Sequence, residues 1–254
     1  MTIILSTRRC DKCSSQDLIK SGKNSVGNAR YKCKCCGHRG VVTPLQFSRR
    51  MDFQVLERAF QERTSHRGIA RTFECAHGTI QRLARKRMDK TPELCASLSE
   101  QEAEEALELD EVYTFYGKKC NKIRLWIVFG RTTRKILAWH LGDGSEKSCQ
   151  DLWEKLPSRY KTITSYSDFW KSYNILNDKT HTLVGKETGQ TNHVERWNGT
   201  LRQRHVSFVR KSLSFAKKLE FLEKRCLFFC YNYNVKEAPR IARQAMLKIT
   251  KSQI

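Results

Sequence analysis

LELDEVYTFYGKKCNKIRLWIVFG, residues 107–130, is the stretch on which the fold turns. Two apolar runs, 107–117 and 122–130, are rich in β-branched and aromatic residues and flank a short polar turn after Gly117. Such a pair reads as a strand hairpin. After the turn GRTTRK, the run KILAWHLGD (135–143) reads as a third strand. The period then changes. SEKSCQDLWEKLP (145–157) is an amphipathic helix with Ser145 as its N-cap. YKTITSYSD (160–168) is a fourth strand, FWKSYNILN (169–177) a short helix and THTLVGK (180–186) a fifth strand. From Thr191 to Val235 the pattern is helical, with a break near Val206–Ser214.

Three antiparallel strands, a helix, a strand, a helix, a strand and a final helix give an α/β order. It matches the ribonuclease H-like fold, a mixed five-stranded sheet with helices. In that fold the first and fourth strands are central neighbours, and the late helix packs across their ends. Asp110 lies on the first strand, Asp168 just after the fourth, and Glu195 near the start of the late helix. Glu195 is the only carboxylate between Glu187 and Glu220, inside a basic run. Brought together, the three carboxylates form a two-metal site. A phosphodiester repels nucleophiles, and two divalent ions activate a water or 3′-hydroxyl and stabilise the leaving oxygen. Carboxylate oxygens suit Mg²⁺, or Mn²⁺ in its place.

Neighbouring residues refine this expectation. Glu111 follows Asp110, but successive strand residues face opposite ways, and Asp110 is the one expected to face the metal. Asp143, in GDG, is expected to serve a turn. Asn192, Glu195, Asn198 or Gly199, and Arg202 share one helix face. Asn192, Asn198 and Arg202 are therefore expected beside the substrate phosphate, with Arg196 and Arg204 adding positive charge for DNA. Trp126, Trp139 and Trp153 are core candidates. Trp170 and Trp197 either stack on an exposed base or pack beneath the site. Phe221, Leu222, Phe228 and Phe229 form an apolar face that closes the core.

Upstream, Cys10 and Cys13 make one C-x2-C pair and Cys33 and Cys36 a second. That spacing is the framework of a structural four-thiolate Zn²⁺ site. Gly37 suits the tight turn after the second pair. Cys35 is the alternative to Cys36 as fourth ligand. The intervening segment reads as short strands around a hairpin tip, a zinc ribbon. MDFQVLERAFQER (51–63) has helical periodicity. A helix over His66–Phe73, a turn at ECAHG and a helix over Thr79–Met88 read as a helix-turn-helix. Its second helix offers Thr79, Gln81, Arg82 and Arg85 to a DNA groove, while Ala70, Ile80 and Leu83 pack between the helices. Cys75 and His77 are expected in the turn. The acidic stretch after Pro92 reads as a linker. The expected division is a zinc ribbon over 1–48, a helix-turn-helix over 49–90, a linker over 91–106 and a catalytic domain over 107–254.

The formal net charge is +22. Residues 1–100 carry 20 Lys and Arg against 9 Asp and Glu, residues 101–192 carry 14 against 13, and residues 193–254 carry 14 against 4. Two basic ends around a near-neutral middle imply a polyanionic partner, double-stranded DNA above all. Eleven cysteines without an export signal fit reduced thiols. No apolar run is long enough to span a membrane. A soluble cytoplasmic, nucleoid-associated protein is expected.

CDKC with RYKCKCC, the helix-turn-helix, LDEVYTF, YSDFWKSY and NHVERWNGTLRQR together resemble the insertion sequence 1 family of transposases, of the bacterial DDE type, over nearly the whole chain. The N-x-x-E-R-x-N pattern of the last block is the most specific. The resemblance implies binding to terminal inverted repeats, cleavage at the element ends and strand transfer into target DNA. It also implies a homodimer or higher assembly on DNA, because two ends must be paired. The competing readings are a non-catalytic DNA-binding regulator and another ribonuclease H-like nuclease. Metal-dependent cutting and joining of element ends separates the three.

Overall fold

The computed structural model describes residues 9–25, 27, 29–41, 52–99, 105–176, 180–209 and 215–252. The acidic run at 100–104, parts of the expected hairpin tip (26 and 28) and the second half of the expected helix break (210–214) lie outside them. The chain divides into two compact units, residues 1–53 and 54–254.

In the first unit, β1 (Leu18–Lys23), β2 (Ala29–Cys33) and β3 (Arg39–Gly40) form an antiparallel three-stranded sheet. Few apolar side chains are available to hold it. Cys10, Tyr31 and Cys33 are its buried apolar residues among those described. A core this small needs a cross-link or metal for stability.

The second unit opens with α1 (Phe53–Phe60), α2 (His66–Thr72) and α3 (His77–Asp89). Ser65 caps α2 by accepting from the Gly68 amide at 3.0 Å. Ile69, Ala70, Ile80 and Ala84 are the buried residues of α2 and α3. Ala84 is more deeply buried than Leu83, which the sequence reading had put in that seam. One helical turn after Ile80 returns to position 84, and a small residue there permits close approach. Cys75 and His77 lie around the start of α3 and join no metal-ligating cluster among the described residues.

The segment after Pro92 is docked on the unit. Leu94 is buried in the core, and Ser97 Oγ accepts from Asn234 Nδ2 at 2.9 Å. Then β4 (Leu107–Phe115), β5 (Lys122–Gly130) and β6 (Ile136–Gly142) form an antiparallel meander, followed by α4 (Glu146–Lys155). The short strands β7 (Ser165–Ser167) and β8 (His181–Leu183) add in parallel on the other side of β4. The sheet is mixed, five-stranded and ordered β6-β5-β4-β7-β8. Strands four and five are much shorter than their apolar runs. Tyr160, the first residue of the expected fourth strand, instead ends a 3-10 turn over Ser158–Tyr160, and Lys171–Leu176 is 3-10 helix where an ordinary short helix is expected.

The helical C-terminal half comprises α5 (Asn192–Arg204), α6 (Leu219–Asn232) and α7 (Ala238–Ser252). A π-helical stretch at Tyr233–Glu237 joins α6 to α7. It places Asn234 so that its amide exchanges hydrogen bonds with the backbone of Ile136, both at 2.7 Å. Cores lie on both faces of the sheet. Val112, Leu125, Ile127 and Phe129 meet α5 and α6 on one face, through Val194, Trp197, Leu222 and Phe229. Leu107, Leu109, Trp126 and Val128 meet α4 on the other, through Cys149 and Leu152. Trp126 is fully buried, and its indole N–H donates to the Asp143 carbonyl at 2.8 Å. α3 is tied to α6 by an Asp89–Lys224 ion pair at 2.8 Å and by the Arg85 guanidinium 5.6 Å from the centre of the Phe221 ring.

Candidate active site and cysteine cluster

Side-chain alternation on β4 sorts its acids between the two faces. Glu108, Asp110 and Val112 point toward α5, and Glu111 points toward α4. Asp110 accepts from Asn198 Nδ2 of α5 at 2.6 Å and from the Glu111 amide at 2.8 Å. Glu111 accepts from the Tyr173 hydroxyl at 3.0 Å and from Arg124 at 3.3 Å. β4 and β7 pair in parallel, Leu107 with Ser165 and Glu108 with Tyr166. Continued two residues, that register sets Asp168 level with Asp110. Asp168 Oδ1 accepts from the Trp170 amide at 3.0 Å. Glu195 lies in the first turn of α5, exposed, one helical turn from Asn198.

Burial, with the charges of Asp168 and Glu195 adding to it, raises the Asp110 pKa to about 6. The three acids therefore share one electrostatic neighbourhood. They are not drawn into contact. Among the described residues, only the four cysteines gather three or more metal-ligating groups within 4.8 Å of one another. Like charges in a partly desolvated site hold one another apart. Burial also raises Glu111, to about 7, helped by the nearby Asp110 charge.

The fixed point of the site is Glu108, a fully buried carboxylate. Its Oε1 accepts from Arg131 Nε at 2.8 Å and lies 2.7 Å from His193 Nδ1. Its Oε2 accepts from the amides of His193 and Val194, both at 2.9 Å. Burial raises its pKa, opposed by the Val194 amide and by Arg131. The N-cap residue of α5, Thr191, makes no side-chain cap hydrogen bond. Glu108 serves that purpose from the strand, satisfying two first-turn amides with a charge that suits the positive end of the helix. Arg131 also donates to the Gln190 carbonyl at 2.6 Å and lies over the Tyr166 ring at 4.9 Å. One ion pair thus connects the strand of Asp110, the strand before Asp168 and the helix of Glu195.

The region 105–236 matches the family model described as IS1 transposase. The chain belongs to the IS1 transposase family. It is 35% identical over 118 residues to the insertion element iso-IS1n protein InsB of Shigella dysenteriae, covering 46% of this chain and 87% of that protein. It is 30% identical over 118 residues to the insertion element IS1 protein InsB of Shigella flexneri, with the same coverage of 46% and 87%. The corresponding identity to the insertion element IS1 4 protein InsB of Escherichia coli strain K12 is 29% over 118 residues, covering 46% of this chain and 68% of that protein. The matched region of this IS1 transposase contains Glu108, Asp110, Arg131, Asp168, Glu195 and Asn198, whereas the cysteine pairs and α1–α3 precede it.

The other residues singled out in the sequence of the transposase are dispersed. Asn192 and Arg196 are exposed on α5, and Arg202 is partly exposed. Asn198 is buried, with its amide committed to Asp110 and its Oδ1 without a hydrogen-bond partner. Arg204 is held by Glu62 at 2.8 Å and by Glu237 at 3.6 Å. Gln81 and Arg82 are exposed on α3 and Thr79 is half-buried, while Arg85 leans on Phe221. Trp197 is 2% exposed and packs on Phe229 and Tyr233, so it belongs to the core. Trp170 lies under the Arg124 guanidinium at 4.1 Å. Asp143 caps α4 through Ser145 and Ser148, which lowers its pKa to about 2 and confirms its turn role. No described helix is long and apolar enough to cross a membrane.

The raised carboxylates give a pH prediction. Asp110 and Glu111 bind protons more tightly in the folded transposase than in the unfolded chain, where carboxyl pKa values lie near 4. Their contribution to stability is full below that value and is lost as pH rises toward 7. With chelator present, the thermal midpoint is expected to fall between pH 5 and pH 7.5. Asp110→Asn is expected to flatten that fall. An unchanged slope in the variant would show that Asp110 is not the titrating group.

The cysteines form a separate site in the first unit. Cys10 and Cys36 sulfurs lie 3.6 Å apart, as do those of Cys13 and Cys33. A tetrahedral ion with Zn–S bonds of about 2.3 Å has S···S edges of roughly 3.8 Å, so the set fits Zn²⁺. Cys36 joins the cluster, and Cys35 is exposed and outside it. Gly37 adopts φ +71°, the left-handed turn expected after the second pair, and its amide donates to the Cys33 carbonyl at 3.0 Å. Amides of Lys12 and Cys13 lower the Cys10 pKa, and the Cys36 amide leads in lowering that of Cys33 to about 7. Those shifts favour thiolate at Cys10 and Cys33, while the crowded neighbouring thiols and burial push Cys13 and Cys36 up, so a bound metal must displace protons from these two. Cys33→Ser, or a strong chelator, is expected to unfold residues 9–41 and release about one zinc per chain. Cys35→Ser is expected to do neither, as read by metal analysis and limited proteolysis.

Proposed function

We propose that this transposase binds the terminal inverted repeats of its element, cleaves DNA at the ends and joins them to target DNA. The catalytic unit reads best as a ribonuclease H-like core of the DDE type, preceded by a zinc ribbon and a helix-turn-helix. The observation that carries this reading is the parallel register of β4 and β7, which levels Asp168 with Asp110 beneath the helix of Glu195. Hard carboxylate oxygens are the donor set that Mg²⁺ or Mn²⁺ prefers, and Asp110, Asp168 and Glu195 are the residues assigned to hold the ions. When bound, two such ions activate the attacking oxygen and stabilise the leaving one.

The chain's own residues do the rest. Asn198 orients Asp110 by its hydrogen bond. Asn192, Arg196 and Arg202 on α5 are assigned to the DNA backbone. Arg204 is assigned there as well, after release from Glu62 and Glu237. Thr79, Gln81, Arg82 and Arg85 on α3 are assigned to reading the ends. Work on two ends calls for a homodimer or larger assembly on DNA, within the bacterial cytoplasm and nucleoid.

The test is in vitro cleavage of a labelled duplex carrying the flanking element end. Strand nicking at the element boundary is expected with Mg²⁺ or Mn²⁺ and not with chelator, followed by joining to a target plasmid. Binding without nicking in any divalent ion would favour a DNA-binding regulator. Nicking of branched DNA without joining would favour a different nuclease.

A further inference from the structure

Away from the carboxylates, a cavity of about 360 Å³ opens between the helices that precede the sheet and α6. An adjoining one of about 270 Å³ runs beside α3. Both are lined by His66, Lys217 and Arg225. Arg67 and His77 add to the first, and Gln81 and Arg85 to the second. Glu62 is the only carboxylate along either wall among the described residues, and Arg204 already binds it through two nitrogens, at 2.8 and 2.9 Å.

Arg225 is the unusual member. It is partly buried, and no carboxylate among the described residues pairs with it. An uncompensated guanidinium out of bulk water is costly, and proteins ordinarily pair such groups. Its neighbours provide no counter-charge. Burial, with Arg225 adding to it, holds His205 neutral at about 3, and burial with Arg225 and His77 holds His66 at about 4. Two residues assigned from sequence to read DNA, Gln81 and Arg85, face this groove.

We propose that the groove is a phosphate seat, in which the Arg225 fork, with Lys217 and Arg67 beside it, takes a backbone phosphodiester of the bound DNA. Guanidinium suits this role because its parallel N–H donors match two phosphate oxygens. The apolar floor of Phe215, Phe228 and Phe229 keeps water away from the contact. A phosphate held there touches the α2–α3 pair and α6 together, so DNA binding stiffens the junction between the end-reading helices and the catalytic unit. The inference rests on the DNA-binding reading above.

The test uses the full chain as wild type, Arg225→Met and Lys217→Gln. Lys217 is exposed, so its variant should fold whatever happens to the first. Inorganic phosphate is expected to raise the thermal midpoint of the wild type by mass action and to leave that of Arg225→Met unmoved. In phosphate-free buffer Arg225→Met should melt no lower than wild type, because Met keeps the apolar stem and removes the unpaired charge. With a duplex carrying the element end, the slope of log affinity against log salt should become shallower by about 0.9 in each variant, one phosphate contact. If both variants keep the wild-type phosphate response and salt slope, the seat does not exist. If Arg225→Met melts lower and Lys217→Gln keeps both wild-type responses, Arg225 is a packing residue and the proposal fails. If wild type responds to phosphate but binds no duplex, the occupant is a free anion; the DNA assignment then falls together with the end-binding reading. Duplex binding that neither substitution alters sinks the seat alone.

Discussion

Glu195→Gln is expected to lower transposition from a donor plasmid by roughly 100-fold or more, the scale of losing one member of a catalytic set. It is expected to do so without unfolding the protein. The carboxylate is exposed and has no hydrogen-bond or ion-pair partner among the described residues. No packing or network is lost with its charge, and the Asp110 carboxylate is freed of one repelling neighbour. Thermal midpoint and gel-shift affinity for the element ends should therefore match wild type. The measurement pairs a plasmid transposition assay with both controls. If the variant still moves the element, Glu195 is not catalytic, and Glu111, the other acid coupled to Asp110 and Asp168, becomes the residue to test.

The second large effect is expected at a residue that is not assigned to metal or DNA. All four neighbours of the Glu108 carboxylate offer donors to it: Arg131, the His193 ring and two amides of α5. Glu108→Gln puts an NH₂ group against two of those donors whichever way it is turned. Glu108→Ala leaves the Arg131 cation partly buried and unpaired, a loss of about 3–5 kcal/mol. The thermal midpoint should drop in both, more in the alanine variant. The discriminating readout is local. Hydrogen exchange at the His193 and Val194 amides should accelerate more in Glu108→Gln than in a variant of equal global stability changed elsewhere in the core. Slow exchange at both amides would show that α5 is capped some other way.

Much of this arrangement was legible in the sequence. The strand pattern of 107–143 is strong because long, apolar, β-branched runs separated by turn residues have few alternatives. Asp143 could be read as a turn carboxylate because it stands between two glycines just before the Ser145 cap. The cysteine pairs carried their own geometry. Other features depended on tertiary context. Tertiary pairing with β4 and β8, rather than propensity, limits the fourth strand to Ser165–Ser167, and no local signal marks that limit. The role of Arg204 was hidden because Glu62 lies 142 residues away. Glu108 was overlooked although a signal existed. It stands two positions before Asp110, hence on the same face, and a carboxylate on a strand face turned toward the core needs partners.

The parallel pairing of β4 with β7 also bears on the order of events during synthesis. Antiparallel β4, β5 and β6 can form by local closure. Asp110 and Asp168 come level only after the whole intervening crossover has closed, and α5 must then dock before Glu108 finds its amide donors. Long-range parallel contacts of this sort are slow to form, because loop entropy is lost before any contact compensates. The carboxylates are therefore among the last groups in the second unit to assemble. A chain still emerging from the ribosome, or one whose last helices have come loose, has its basic surfaces exposed while Asp110, Asp168 and Glu195 are still apart. On the proposed reading, DNA cutting therefore waits for the finished fold.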